Sequence, residues 1–196
     1  MLSNRSHIQE NLDNLELKGE ALTKALDGLS RINRLFGNTK DTLKAVKQQF
    51  KNHEIKTIVD LGCGGGDNLM SIAKWCQKKD KKVRLIGIDG NQNTLDYSRA
   101  KSQFEIEFQQ ADILDPNFEI PECDLLISSH FIYHFKDDEL IQFLKKAESK
   151  VAVAMIFSEL KRDPRAYNLF RDMGALFGKE VQSDGLKAIN RSFEID

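Results

Sequence analysis

The sequence is poor in the features that mark secreted, membrane-spanning or metal-stapled proteins. Its cysteines, Cys63, Cys76 and Cys123, are odd in number and widely spaced, which disfavours a disulfide framework and a Cys-x-x-Cys metal site. The longest apolar run, Val151 to Phe157, is far shorter than the roughly 20 residues of a membrane-spanning helix. Met1 to Asn14 lack the basic start and apolar stretch of a secretory signal. We therefore expect a soluble, cytoplasmic protein with reduced thiols, no metal site and no membrane partner.

An excess of charge of either sign is also missing. The chain has 29 Lys and Arg against 30 Asp and Glu, a formal net charge of -1. That balance disfavours a protein whose affinity rests on neutralising many phosphates, so we expect no nucleic-acid partner. A length of 196 residues with 40% hydrophobic content fits one folded domain. We expect N-terminal helices over 1–53, an α/β core over 54–177 and a C-terminal remnant over 178–196.

Two amphipathic helices are predicted ahead of the core. Apolar residues recur at helical spacing between Asp13 and Phe36, and Asp13 and Glu16 have the spacing of a capping box. The pattern predicts a helix over Asp13–Phe36 with a break near Gly19. A second helix is predicted around Leu43–Phe50.

Short apolar runs then alternate with helical segments. The runs are nearly continuous, which is typical of strands buried on both faces of a sheet. Strands are predicted over Thr57–Leu61, Arg84–Asp89, Glu105–Ile113, Asp124–Ser129 and Lys150–Ser158. Helices are predicted over 68–76, 94–101, 137–146 and 165–177, the last of them capped by Asp163 and Pro164. The alternation predicts an α/β fold with a doubly wound, mostly parallel sheet.

The first strand ends in a glycine-rich turn, Gly62 to Gly66, which leads into a helix. Glycines let the chain turn sharply and let a ligand approach the backbone. Asp67 stands where the dinucleotide-binding pattern G-x-G-x-x-G has its third glycine, and Asp60 lies just ahead of the turn. Carboxylates at this place would repel a pyrophosphate and would suit a cation such as S-adenosylmethionine, which carries a sulfonium and an ammonium group.

Two further acids end the next two predicted strands. Asp89 ends the second strand, at the sheet edge where open parallel sheets bind ligands, and can accept hydrogen bonds from both ribose hydroxyls. Asp112 ends the third strand and can accept a hydrogen bond from an adenine amino group. Three acids at consecutive strand ends are a more specific signal than any one of them.

In these motifs the sequence resembles the class I S-adenosylmethionine-dependent methyltransferases, over roughly residues 57–177. The resemblance implies a Rossmann-like methyltransferase fold, S-adenosylmethionine as cofactor and S-adenosylhomocysteine as product. A nucleotide-binding fold of another kind, or a fold that has lost catalysis, is the alternative. The residues that the resemblance assigns to the cofactor are Asp60, Gly62, Cys63, Gly64, Asp89, Gly90, Asp112, Ile113 and Ser128.

A narrower resemblance links the chain to bacterial small-molecule O-methyltransferases encoded beside polyketide-type synthases, which act on phenolic or pyrone hydroxyls. It rests on Ile32–Gly37, Glu159–Tyr167, Asp184–Gly185 and Arg191–Phe193. It implies a small-molecule acceptor methylated on a hydroxyl oxygen. The wider family usually adds two strands after the fifth helix, and the sequence shows no convincing pair there. We therefore expect a shortened C-terminal end and an open sheet edge that could form a homodimer.

Two histidines are candidates for the base that removes the acceptor proton. His130 and His134 follow the fourth predicted strand, and their spacing places them on one face if the segment is helical. The alternative is that His134 only caps or packs this turn. Arg162 and Tyr167 are candidates for an acceptor pocket, in which the arginine would hold an anionic oxygen. Alternatively, Arg162 pairs with a nearby acid and Tyr167 fills helix packing.

The N-terminal helices and the function of the whole chain leave alternatives open. The helices could form a lid that excludes water from the cofactor, or they could simply pack on the sheet. Besides a small-molecule methyltransferase, the sequence is compatible with an RNA or protein methyltransferase. It is also compatible with a non-catalytic cofactor-binding or interaction protein on the same fold.

Overall fold

The computed structural model describes residues 4–173, 176 and 178–194. The chain alternates helices and strands after two N-terminal helices. The helices are α1 (Gly19–Phe36), α2 (Asn38–Gln49), α3 (Asp67–Lys78), α4 (Gln92–Lys101), α5 (Asp137–Glu148), α6 (Pro164–Met173) and α7 (Lys179–Arg191). The strands are β1 (Thr57–Leu61), β2 (Arg84–Asp89), β3 (Glu107–Gln110), β4 (Cys123–Ser129) and β5 (Val151–Ser158).

The strands form one parallel sheet in the order β3-β2-β1-β4-β5. This confirms the predicted doubly wound α/β fold. The order reverses at β1, whose two neighbours are β2 and β4, and this is the topological switch point at which open sheets bind ligands. β3 is shorter than the predicted Glu105–Ile113 because the chain leaves the sheet after Gln110.

The core lies on both faces of the central strands. Ile58 and Leu125 belong to a cluster on one face, and Val59 and Leu126 to a cluster on the other. All four side chains are inaccessible to solvent. The continuous apolar runs of the sequence therefore correspond to strands covered by helices on both sides.

The N-terminal region departs from the prediction at its start. Helix α1 begins at Gly19, so Asp13 and Glu16 do not form its cap. Asp13 instead lies in a short 3-10 turn, Asn11–Asp13, where its carboxylate accepts a hydrogen bond from the Glu10 backbone N–H at 3.0 Å. The expected break near Gly19 is thus the beginning of the helix.

The C-terminal region contains a helix that the sequence pattern does not predict. Helix α6 begins at Pro164, with the Asp163 carboxylate accepting from the Arg165 N–H as predicted. Its predicted end at Phe177 lies outside the described residues. Beyond it, the expected remnant over 178–196 contains α7, which packs against α6 and α1. Ile32, Phe170 and Ile189 form the small apolar cluster between these three helices.

Among the residues that the structure describes, no helix combines the length and the apolar character needed to cross a membrane. The cytoplasmic location and the homodimer stay predictions.

Candidate active site

A cavity of about 880 Å³ opens at the carboxyl ends of the strands. Its floor is made by the loops that follow β1 to β4, and its walls by α1, α6, α7 and the N-terminal segment, residues 5–17. Every predicted strand-end loop therefore contributes to a single space. The N-terminal helices do line this space, as a lid would, and whether they move stays a prediction.

The glycine turn after β1 brings backbone to the surface of the cavity. Gly62, Gly64 and Gly66 all have positive φ, at 66°, 49° and 73°, a region in which side chains are strained. A Cβ at Gly64 would meet nothing within 4 Å, whereas one at Gly62 would lie 2.5 Å from Cγ of Phe131. The turn therefore leaves its open side to a ligand and packs its other side against Phe131.

Asp89 links the first two loops. Its Oδ2 atom accepts a hydrogen bond from the Gly64 N–H and its Oδ1 atom accepts one from the Asn91 N–H, each at 3.0 Å. Burial raises the pKa of this carboxyl. Each oxygen keeps a second lone pair, and the residue lines the cavity together with Gly90. Asp89 can therefore accept hydrogen bonds from a ligand's hydroxyl groups.

Asp112 and Ile113 line the cavity beyond β3. The Asp112 Oδ1 atom accepts from the Leu114 N–H at 3.0 Å, which fixes the loop while the carboxylate remains exposed. Ile113 is buried and offers an apolar contact. The pair has the polar and apolar character that an adenine ring requires.

Asp60, Cys63 and Ser128 lie beneath the loops. The Ser128 hydroxyl donates to the Leu61 carbonyl at 2.9 Å and is inaccessible to solvent. Cys63 lines the cavity, but its thiol is buried and its N–H donates to the Ile88 carbonyl at 3.0 Å. Neither Asp60 nor Ser128 lines the cavity. The Ser128 hydroxyl and the Cys63 N–H thus hold the backbone at the end of β1 in place.

The Asp60 carboxylate is fully buried, and neither oxygen has a hydrogen-bond partner among the described residues. Burial raises its pKa well above the usual range, and the Asp89 carboxylate adds to the effect. An unpaired buried carboxylate is costly, so it calls for a cationic partner or a proton. The raised pKa keeps Asp60 protonated and neutral unless a cation lies beside it.

His130 and His134 do not share a helix face, contrary to the predicted arrangement. His130 is the first residue after β4 and has a positive φ of 54°, and His134 lies in a separate 3-10 turn, Ile132–His134. Because residues 130–134 do not form an α-helix, the four-residue spacing does not place the two side chains on one helix face. Both histidines still line the cavity.

The lone pair of His130 is already engaged. The Asn38 amide nitrogen lies 2.8 Å from His130 Nε2 and also donates to Asn33 Oδ1 at 3.1 Å. Because an amide nitrogen can only donate, His130 Nε2 accepts and its proton lies on Nδ1. Burial lowers the His130 pKa to about 4, so the ring is neutral. His130 is therefore held as a hydrogen-bond acceptor of Asn38.

His134 faces an acid. Its Nδ1 atom lies 3.4 Å from Asp13 Oδ1, and its ring centroid lies 5.3 Å from that of Phe131. Burial lowers the His134 pKa to about 4, an effect that the Asp13 carboxylate opposes and that Arg191 and Arg5 reinforce. The Phe131 ring thus lies between the neutral imidazole of His134 and the glycine turn.

Glu159 fixes the loop that carries these groups. Its Oε1 atom accepts hydrogen bonds from the N–H groups of Phe131 and Ile132, both at 3.1 Å. Burial raises the Glu159 pKa to about 7, which the two N–H groups oppose. Glu159 therefore helps to hold the Phe131–His134 loop next to the end of β5.

Arg162 and Tyr167 do not line the cavity. Arg162 pairs with Glu194 at 3.0 Å, and Tyr167 packs against the cluster between α1, α6 and α7. The adjacent Leu160, Lys161 and Ala166 line the cavity instead. Both side chains thus adopt the alternatives given for them from the sequence, an ion pair and helix packing.

The sequence does not reveal a set of polar residues on one side of the cavity, which we call the polar wall. It comes from three distant parts of the chain, and its members are Glu10, Asp13, Tyr133, Asp184 and Arg191. Asp184 and Arg191 belong to motifs of the narrower resemblance, which gives them no role. The local pattern assigns Asp13 to a helix cap. No local pattern in the sequence indicates that Asp13 pairs with Arg191.

Comparison with known proteins gives the family of the central region. Residues 58–152 match the model of a methyltransferase domain. Ajmaline N-methyltransferase of Rauvolfia serpentina is 29% identical over 112 residues, which are 55% of this chain and 38% of that protein. Carboxy-S-adenosyl-L-methionine synthase of Wolinella succinogenes is 29% identical over 107 residues, 53% of this chain and 39% of that protein. The matched segment spans less than two fifths of either relative.

Solved structures share the fold. The plantazolicin methyltransferase BpumL, in complex with a pentazolic analog and S-adenosylhomocysteine, has a TM-score of 0.62 at 17% identity. That match covers 95% of this chain and 74% of BpumL. Magnesium protoporphyrin IX methyltransferase from Synechocystis PCC 6803, with bound S-adenosylhomocysteine, has a TM-score of 0.57 at 13% identity, over 94% of this chain and 76% of that one. These likenesses establish the architecture of this chain.

Proposed function

We propose that the chain is a class I S-adenosylmethionine-dependent methyltransferase that methylates a hydroxyl oxygen of a small molecule. The observation that supports this most is the single cavity that joins the cofactor loops to His134. A volume of about 880 Å³ suits a cofactor together with a small acceptor. No further macromolecular surface is needed to complete such a site.

The residues at the strand ends fit S-adenosylmethionine. Gly64 leaves open space beside the turn, and Asp89 and Asp112 offer carboxylate oxygens to hydroxyl and amino groups. The Asp60 carboxyl lies unpaired beneath the turn, where a cationic group of the cofactor would favour its ionised form. When bound, the cofactor supplies a methyl group on a sulfonium, which is the electrophile of the reaction.

The protein's own task is then to orient the acceptor and accept its proton. As the new C–O bond forms, the hydroxyl proton becomes strongly acidic, so a neutral imidazole with a pKa of about 4 is basic enough to take it. His134 meets this need because its ring is neutral and lines the cavity. His130 meets it less well because Asn38 occupies its Nε2 lone pair. We therefore assign the base to His134.

Apolar groups make up much of the remaining wall. Leu26, Leu29 and Ile32 of α1 line the cavity together with Phe170 and Ile189. Such walls exclude water from the reacting atoms and hold an apolar ring. This supports an aromatic hydroxyl, phenolic or pyrone, as the acceptor group.

The proposal is tested by methyl transfer from labelled S-adenosylmethionine to resorcinol and to 4-hydroxy-6-methyl-2-pyrone, with aniline and bulk RNA as competing acceptor classes. We expect label on oxygen and a loss of about 100-fold in kcat for His134→Gln, the usual scale for removing a general base. His53→Gln, an exposed histidine, is the matched control and should retain full activity. Label on aniline or RNA alone would contradict the hydroxyl acceptor, and an unchanged His134→Gln would contradict the base.

A further inference from the structure

Within the polar wall, Arg191 supplies the positive charge that pairs with Asp13. The Asp13 Oδ2 atom lies 2.5 Å from Arg191 Nη1, and the same guanidinium nitrogen lies 3.2 Å from Glu10 Oε1. Asp13 Oδ2 also accepts from the Glu10 N–H, so this oxygen is fully engaged. The other oxygen, Oδ1, is the one that faces His134 Nδ1 at 3.4 Å. The carboxylate is therefore fixed through one oxygen, and its other oxygen lies within ion-pair distance of the imidazole.

The N-terminal segment is held to the turn that carries His134. The Arg5 guanidinium donates to the backbone carbonyls of Tyr133 and Phe135, at 2.5 and 2.7 Å. Arg5 Nε also donates to the Arg191 carbonyl at 2.9 Å. The beginning of the chain, the loop after β4 and the end of α7 thus meet around His134.

We infer that Asp13 is a positioning residue for His134: its carboxylate holds the imidazole proton on Nδ1 and leaves the Nε2 lone pair free for the acceptor hydroxyl. A carboxylate can only accept, so a neutral histidine beside it carries its proton on the facing nitrogen. The inference rests on the proposed function, since a base needs a substrate. It extends the active site to two segments that lie outside the matched methyltransferase domain.

The same cluster could be taken for a cation site. Ligand atoms of Glu10, Asp13 and His134 lie within 4.8 Å of one another. The guanidinium of Arg191 already contacts both carboxylates, however, so a metal ion would have to displace a buried positive charge. The arrangement therefore favours an organic hydrogen-bond network over a metal centre.

The test measures the tautomer of His134 directly by side-chain 15N NMR on the full chain, at neutral pH and in EDTA. The chain has four histidines, so His134→Gln assigns the resonance by its loss. We expect the proton on Nδ1 in the wild type. In Asp13→Asn the new amide can donate to Nδ1, and we expect the proton to move to Nε2. Glu10→Gln, which alters the same cluster without facing Nδ1, should keep the wild-type tautomer.

Methyl transfer to the hydroxyl acceptor gives the second readout. Asp13→Asn should lower kcat at least 10-fold and leave KM for S-adenosylmethionine unchanged, because the tautomer and not the cofactor site is altered. The isosteric Asp138→Asn on the exposed start of α5 is the control and should change neither quantity.

The outcomes separate the inference from the proposed function. A wild-type His134 protonated on Nε2, or an Asp13→Asn variant that keeps the wild-type tautomer, would overturn the role of Asp13 whatever the transfer assay gives. If the tautomer moves as expected but no hydroxyl is methylated, the positioning stands and the proposed function fails. If Asp13→Asn does not fold, the wild-type tautomer alone decides.

Discussion

At Gly62 the backbone adopts a φ of 66° and the ring of Phe131 lies where a Cβ would project. Phe131 in turn packs against His134. A single glycine thus connects the cofactor turn, through one aromatic ring, to the candidate base. Gly62 is therefore required for two reasons: its φ is positive, and the Phe131 ring occupies the place of a Cβ.

Gly62→Ala should therefore destabilise the fold by more than the backbone strain alone. Strain at positive φ costs about 1–3 kcal/mol, and Phe131 must move in addition. Gly37→Ala is the matched control, because Gly37 has a φ of 83° and a Cβ there would meet nothing within 4 Å. We expect urea unfolding to show the larger loss for Gly62→Ala, and only this variant to bind S-adenosylhomocysteine more weakly. Equal losses in both variants would contradict the role of the Phe131 contact.

At this scale the sequence predicts the strand-end acids well and the polar wall poorly. Asp89 and Asp112 can be found because parallel strands end at one edge of a sheet, so local patterns place them together. Asp13 and Arg191 are 178 residues apart, and their ion pair exists only once α7 packs beside the N-terminal segment. The placement of Arg162 in the acceptor pocket fails for the same reason, because its partner Glu194 comes from beyond α7.

The Asn91 side chain links the N-terminal segment to the loop that follows β2. Asn91 is buried, and its amide nitrogen donates to the Leu17 carbonyl at 2.9 Å and to the Asn14 carbonyl at 3.4 Å. Its amide oxygen caps α4 by accepting from the Asn93 N–H at 2.9 Å. Beside it, the Leu15 side chain lies 2.8 Å from where a Cβ on Gly90 would be.

Asn91→Asp separates these two tasks. The substitution keeps an oxygen to cap α4 and removes the donor to the segment, placing a carboxylate against two carbonyl oxygens. We expect faster backbone hydrogen exchange across residues 5–17 and unchanged exchange in α4. Asn52→Asp, which adds the same charge at an exposed position, is the control. Unchanged exchange over residues 5–17 would contradict the tether.

The elements of the core are predictable, and those that flank it are less so. The strands of the sheet follow from continuous apolar runs that only a doubly covered sheet can bury. Helix α7 carries polar residues on much of its surface and lacks a capping side chain at its start, so its sequence gives a weak local signal. Its buried residues Ala188 and Ile189 cannot be recognised as core residues from the sequence, because their burial depends on the packing of α7 against α1 and α6.

For the whole molecule, a buried acid makes stability depend on pH. Burial raises the pKa of Glu10 from 4.5 to about 8; the Asp13 carboxylate adds to this and Arg191 opposes it. The folded state therefore holds a proton that the unfolded chain releases. The stability from this group is present below pH 4.5 and is lost as pH rises through about 8.

Glu10→Gln should remove this dependence. We expect the Tm of the wild type to fall relative to that of Glu10→Gln between about pH 5.5 and 8.5, because glutamine has no proton to lose. Glu16→Gln, at an exposed position, should follow the wild type at every pH. Calorimetric melting across this range is the measurement. A constant Tm difference between Glu10→Gln and the wild type would contradict the raised pKa.

The open edge of the sheet bears on assembly. In the described residues, β5 pairs with β4 on one side, and its residues remain partly exposed along most of their length. If a homodimer forms there, Ala152→Lys, a charge at an exposed edge position, should shift sedimentation towards the monomer without altering the melting curve. A dimer that Ala152→Lys leaves intact would contradict this edge as the interface.

Calorimetric titration with S-adenosylhomocysteine is the most direct test of an S-adenosylmethionine site at the strand-end loops. We expect one site of micromolar affinity in the wild type, unchanged in the exposed control Asp138→Ala. Asp89→Ala should weaken binding about 10- to 100-fold, or about 1–3 kcal/mol, the scale for losing a buried hydrogen-bond partner. No binding by the folded wild-type protein would contradict an S-adenosylmethionine site, and equal affinity in Asp89→Ala would contradict the role of Asp89 in it.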